Sequence, residues 1–484
     1  MMQLTYEQKS STGFQYILDR LNPSSPYGQE RVRKLMPYTR EEKHLLFREL
    51  DNLEKLIDKR QEIQADLNHL RRIFMQMKDI RPALKKARDM CLNDLELFEL
   101  KNFLIYSDQA KTVALRVRTL TGIRELDYED TTPALNLLDP DQRRIPTFSI
   151  YESYSEALAD IRKRKGELEK CMQLASSEEE RMEYKEKRRF IILEEEEEEQ
   201  KIREKLTENL RPFLQMIEKN TCITGSLDLL LEKMSASLYG KTVKPMITEE
   251  QFALEEVTNP WVASVLKEKN LTFTPLTISL EKGAGIITGA NMGGKSVALK
   301  TIALNVLLAL CGFYVYAQKA YIPFFDNVLI VSEELQSVKQ GLSSFGAEIV
   351  QMQQVVENIE KEFCFVVLDE FSRGTNPHEG AALVRAVTKY LNQKEVIALL
   401  VTHFDHVAEY GKVHYQVAGL KDMDTKQVSH EIAAAGKDKG VSVIASHMNY
   451  GIYRVEDEAD CPKDAFRICR LLGLSDEIMN FIED

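Results

Sequence analysis

Apolar residues keep one period along the first half of this chain and change it in the second. Up to about residue 245 they recur every three or four positions, the spacing of an amphipathic helix. Phe14, Ile17, Leu18 and Leu21 share one such face, and Asn22-Pro23-Ser24-Ser25-Pro26-Tyr27-Gly28 then breaks the helix before residues 29–35 restart it. From 39 to about 108 the spacing predicts one long helix. Its stripe is narrow (Leu46, Leu50, Leu53, Ile57, Ile63, Leu67, Leu70) and its flanks are charged, as in a lever or coiled coil. Residues 109–150 read as a compact connector, with loops at Thr131-Thr132-Pro133 and Leu138-Asp139-Pro140. The densely charged stretch 152–218 predicts two antiparallel helices joined by a tip between Ala175 and Glu180. Ile202, Leu206, Leu210, Phe213 and Ile217 carry the apolar face of the second. Leu227, Leu229, Leu230, Leu231 and Met234 suggest one more packed helix.

Past 245 the texture differs. Short β-branched runs at 285–288, 328–331, 363–368 and 396–401 alternate with helical stretches, the signature of an α/β domain with a mainly parallel sheet. The expected organisation is therefore an all-α core and lever domain over 1–245, with coiled-coil arms at about 40–108 and 152–218, followed by an α/β domain over 246–484. Hydrophobic residues at 44% allow a sizeable core in 484 residues. The net charge of −12 gives no global basic footprint for nucleic acid, so any such contact must be local. Seven scattered cysteines without a C-x-x-C pair suggest reduced thiols and a cytoplasmic setting. Cys311 and Cys364, in apolar runs, are expected in the core. No signal peptide or membrane partner is expected, because the N-terminus is polar and the longest apolar run, 302–316, is broken by Asn305 and Gly312. Six consecutive glutamates, Glu194 to Glu199, read as a solvated helix face; repelling nucleic acid or docking a basic partner are the alternatives.

Chemistry enters at 286–301, IITGANMGGKSVALKT. The run from Gly289 through Asn291, Met292, Gly293, Gly294, Lys295 and Ser296 to Val297 fits G-x-x-x-x-G-K-[ST] between an apolar lead-in and a helix. Glycines let successive N–H groups face a polyphosphate, and the helix adds the positive end of its dipole. Lys295 would neutralise β/γ-phosphate charge and Ser296 would hold Mg²⁺. The plain alternative is a glycine-rich turn before a helix. Downstream, Phe365-Val366-Val367-Leu368 leads into Asp369-Glu370, two acids where an α/β sheet places its ligands. Asp369 would bind Mg²⁺ and Glu370 would polarise the attacking water. A third apolar run ends at Thr402-His403, and His403 suits a hydrogen bond to the γ-phosphate or to that water. Gly341-Leu342-Ser343-Ser344-Phe345 precedes a helix and is a further anion seat, or simply its N-cap.

Together these segments resemble the MutS family. Thr288-Gly289-Ala290-Asn291-Met292-Gly293-Gly294-Lys295-Ser296 resembles its T-G-P-N-M-G-G-K-S, and Asp369-Glu370-Phe371-Ser372-Arg373-Gly374-Thr375 its D-E-x-G-R-G-T. Thr402-His403-Phe404 resembles T-H-[YF], and Ser343-Ser344-Phe345 with Glu348 resembles S-T-F-x-x-E. Phe273-Thr274-Pro275 resembles F-x-P, whose aromatic stacks on adenine in that family. Asn449-Tyr450-Gly451-Ile452 and 465–478 resemble its C-terminal helical dimerisation segment. The resemblance implies an ABC-like P-loop ATPase, turning over ATP to ADP with Mg²⁺. Two subunits, identical or related, would pair head to tail so that Ser343 of one reaches the γ-phosphate on the other.

The departures bear on function. Set against the family, the chain starts near the core domain, so mismatch-reading and connector domains are expected to be absent, and no nuclease-like domain is expected after the ATPase. Ala290 and Ser372 stand where the family has Pro and Gly. Two readings follow. One is a DNA-associated clamp of repair or recombination type without mismatch recognition, its phosphate contacts drawn from Arg162-Lys163-Arg164-Lys165 and Lys185-Lys187-Arg188-Arg189. The alternative is a protein-remodelling ATPase with a protein client, such as a cobalamin-dependent aminomutase, which shortened MutS-like proteins accompany.

Overall fold

The computed structural model describes residues 5–289, 294–332, 344–420, 424–435, 440–456 and 464–480. They form two compact units. One comprises Met1–Leu21, Leu35–Glu54 and Lys233–Asp484, the other Asn22–Lys34 and Lys55–Glu232.

The second unit is helical. The long helix expected over 39–108 is instead four: Lys43–Asp58, which belongs to the first unit up to Glu54, then Arg60–Phe74, Arg81–Ala87 and Asp94–Thr121. Local chemistry breaks the run. Pro82 sits in the first turn of the third helix, where its missing N–H costs nothing. Asn93 and Glu96 form a capping box that starts the fourth, and Gly122 at φ +69° ends it. Ile63, Leu67 and Leu70 are at most 1% exposed, and their helix packs against Asp94–Thr121. That part of the stripe is therefore core, not a lever seam.

The expected hairpin is present as Glu156–Leu174 and Glu178–Leu210, with Ser177 capping the second helix. Pro212 falls in a 3₁₀ turn, Arg211–Phe213, that closes it. The glutamate run is only half a solvated face. Glu195 and Glu199 take Arg162 at 3.0 and 2.9 Å, Glu194 takes Arg164 at 2.6 Å, and Glu195 also pairs with Lys165. Glu198 accepts the Ser155 hydroxyl at 2.8 Å. Much of the basic cluster 162–165 is thus spent inside the hairpin.

The first unit carries ten described strands: β1 (Met246–Thr248), β2 (Phe252–Val257), β3 (Leu276–Leu280), β4 (Gly283–Thr288), β5 (Lys319–Pro323), β6 (Asn327–Ser332), β7 (Cys364–Asp369), β8 (Val396–Val401), β9 (Val413–Gly419) and β10 (Asn449–Arg454). They make a four-stranded sheet, β1-β5-β2-β3, and a six-stranded sheet, β10-β9-β4-β8-β7-β6. In the larger sheet only the edge strand β10 runs antiparallel. Residues 449–454, read as part of a helical segment, are this strand.

Every residue of β4, β6, β7 and β8 is buried, as expected for parallel strands covered on both faces. The crossover helices Ser344–Ile359 and Pro377–Leu391 add Met352, Val355 and Val384 to a core with Leu329, Val366, Leu368 and Leu400. Truncating one such leucine to alanine costs roughly 2–5 kcal/mol. Helix Lys295–Leu310 is buried along nearly its whole length, which accounts for the apolar run there. Cys311 and Cys364 are both buried. Among the described residues no helix is long and apolar enough to cross a membrane.

Register positions the chemistry. Val401 lies opposite both Ile287 and Asp369, and Ser332 lies opposite Asp369. The C-terminal ends of β4, β7 and β8 are therefore flush. β4 follows neither of its neighbours, β8 and β9, in the chain, which makes its end a topological switch point where α/β sheets bind ligands.

Candidate nucleotide site

Gly289 leaves β4 at φ +142°, and Gly294 enters the next helix at φ +89°. Such values favour glycine at both ends of the loop. Asn291, Met292 and Gly293 lie outside the described residues, as does Ser343. Gly294 is the N-cap, and it has no side chain to cap the amides of helix Lys295–Leu310. Uncapped amides at a helix N-terminus are a seat for an anion. Lys295, in its first turn, is 4% exposed, although a cation there opposes the helix dipole. Its ammonium donates to the Gly289 carbonyl at 2.7 Å and lies 3.8 Å from Glu370. Ser296 Oγ donates to Asp369 Oδ1 at 2.8 Å. Val297 lines the same cleft.

Glu370 follows Asp369 directly at the end of β7. Its φ of +50° is rare for a non-glycine residue, and Ser372 repeats the feature at +65°. Glu370 also accepts Arg373 Nη1 at 2.7 Å. His403 stands one residue past Thr402, whose N–H is bonded to the Ile287 carbonyl at 3.2 Å. Burial pushes the His403 pKa below its ordinary value, aided by Lys295 and Arg373 and opposed by Glu370. The imidazole is therefore neutral at pH 7, and its buried Nδ1 has no hydrogen-bond partner among the described residues. His406 turns instead to Glu409, at 2.6 Å.

Lys295, Ser296, Val297, Glu370 and Arg373 face a cleft of about 640 Å³. Val262, Leu266, Phe273 and Leu276 supply an apolar wall, and Gly294, Lys295, Ser296, Glu370 and Arg373 a polar one. Apolar surface beside an anion seat, cations and a hydroxyl–carboxylate pair suits a base attached to a polyphosphate. Phe273, Lys295, Ser296, Val297 and Glu370 are thus brought together, Asp369 bonded to one of them. Sequence reasoning missed Arg373 as a partner of Glu370; its i+3 spacing in the same loop was the available signal. It also missed the Tyr450 ring in the cleft, since that ring arrives on edge strand β10.

Residues 285–470 match the family described as MutS domain V. Relatives include Endonuclease MutS2 of Fusobacterium nucleatum, 36% identical over 215 residues that cover 44% of this chain and 26% of the relative. Endonuclease MutS2 of Carboxydothermus hydrogenoformans is 33% identical over 213 residues, 44% of this chain and 27% of the relative. The counterpart of Streptococcus gordonii is 27% identical over 287 residues, 59% of this chain and 33% of the relative. The matches thus span about a quarter to a third of these relatives.

Proposed function

Because this chain belongs to the MutS family, we propose that it binds and hydrolyses ATP at the cleft beside Lys295, as an ATPase of DNA repair or recombination type. The observation that carries the reading is the flush ending of β4, β7 and β8. It gathers Lys295, Ser296, Asp369, Glu370 and His403 at one mouth.

ATP is the substrate. The amides at the start of helix Lys295–Leu310 and the Lys295 ammonium bind its phosphates, the ammonium leaving the Gly289 carbonyl to do so. Phe273 stacks on the base. Ser296 and Asp369, hard oxygen donors already 2.8 Å apart, fit Mg²⁺. When bound, Mg²⁺ neutralises phosphate charge. Glu370 takes the proton of the attacking water, and neutral His403 holds that water or the γ-phosphate. Closing the site falls to a second subunit, its Ser343 completing the γ-phosphate contacts. The nucleotide cycle then opens and closes a dimer, and the hairpin 156–210 carries the load.

The family relation, together with the relatives' naming, supports DNA as that load. Within the two basic clusters, the hairpin's own ion pairs leave Lys163, Lys185 and Arg189 exposed for phosphate contact. Two measurements test the reading. Lys295→Ala should lose at least tenfold in ATP affinity; equal affinity contradicts the assigned seat. Binding to branched DNA should weaken steeply from 50 to 200 mM salt. No binding at low salt excludes the DNA role and leaves the ATPase reading standing.

A further inference from the structure

The loop that carries Glu370 is held from outside. Glu348, on helix Ser344–Ile359, is 1% exposed, and its Oε2 accepts the Ser372 N–H at 2.8 Å. Ser372 is wholly buried at φ +65°. On its other side the carbonyl packs close to Gly380, where an added Cβ would come within 2.9 Å of that oxygen and 2.7 Å of Phe404 Cζ. The Phe404 ring lies 4.5 Å from that of His403, centroid to centroid. Ser372 thus links the helix that carries Glu348 to the base two positions upstream, and its carbonyl shares Gly380 as a neighbour with the aromatic beside His403.

We propose that Glu348 is the positioning residue for Glu370, acting through the Ser372 N–H; this rests on the ATPase reading above. Glu370 has a left-handed backbone and reaches its place only while the loop keeps this shape. An extended ladder cannot hold such a loop, so an acceptor from a neighbouring element must. A carboxylate on a buried helix gives an acceptor at a fixed place and reach. A shift of about 1 Å in a catalytic group can cost about a hundredfold in rate.

What matters here is reach, not charge, and two variants separate them. Glu348→Asp keeps the charge but withdraws the acceptor by one methylene. Glu348→Gln keeps an oxygen at the same reach and loses the charge. Glu348→Asp should lower kcat by roughly 10- to 100-fold, with ATP affinity near wild type and a melting temperature only a few degrees lower. Glu348→Gln should stay within about threefold of wild-type kcat. A fully active Glu348→Asp, or a Glu348→Gln as impaired as Glu348→Asp, overturns the proposal while wild-type turnover keeps the ATPase reading. A wild-type protein without turnover overturns that reading and this one with it.

Discussion

Replacing Ser372 by glycine should make the unit that holds the nucleotide site more stable. Ser372 is fully buried at φ +65°, and its hydroxyl makes no hydrogen bond among the described residues. A left-handed backbone costs an L-residue about 1–2 kcal/mol, which glycine avoids. A buried hydroxyl without a partner costs about 1–3 kcal/mol. Against this, glycine gives up about 0.5–1 kcal/mol of chain entropy and roughly 0.8 kcal/mol of packing for the lost methylene. The balance is a gain of about 1–2 kcal/mol, or roughly 2–5 °C in melting temperature for a unit of this size. Differential scanning calorimetry of the two proteins reads it directly. The N–H that Glu348 holds survives the change, so turnover should stay within about threefold. A melting temperature that falls would show that the hydroxyl is satisfied or the backbone unstrained, and would refute the reasoning.

Other changes have definite signs. Gly294→Ala places a Cβ 2.6 Å from the Tyr450 ring at φ +89°, so ATP binding should weaken at least tenfold by equilibrium titration. His403 has a pKa lowered by burial, so the unfolded chain takes up its proton first as the pH falls. Its effect on stability is nil well above the ordinary histidine value near 6.5 and unfavourable below it. Denaturant melts at pH 7.5 and 5.5 should show His403→Gln losing less stability than wild type. His414, also lowered by burial, leaves a residual slope in both.

The α/β part was legible because its strands are all-apolar runs ending in chemistry. The runs 285–288, 328–331, 363–368 and 396–401 lie within a residue or two of β4, β6, β7 and β8. The residues just past three of them, Gly289, Asp369-Glu370 and His403, are neighbours in space because parallel strands share a register. Less visible were features decided by distant partners. Helical periodicity continues across residues 59, 75–80 and 88–93, so the stripe alone does not show that the chain breaks into four packed helices. A glutamate run looks the same whether it faces water or Arg162 and Arg164 of another helix. Strand β10 alternates too weakly in burial to announce itself, yet it brings Tyr450 to the cleft. Glu348 is one acid on a helix until the fold sets it against Ser372.

The central claim is that Glu370 activates water at a phosphate seat built by Lys295 and Ser296. Single-turnover hydrolysis of γ-labelled ATP with Mg²⁺, by wild type and Glu370→Ala, tests it most directly. The account predicts that both proteins bind the nucleotide with affinities within about threefold. Phosphate should then form in wild type and form at least a hundredfold more slowly in Glu370→Ala. Equal rates in the two proteins would contradict it.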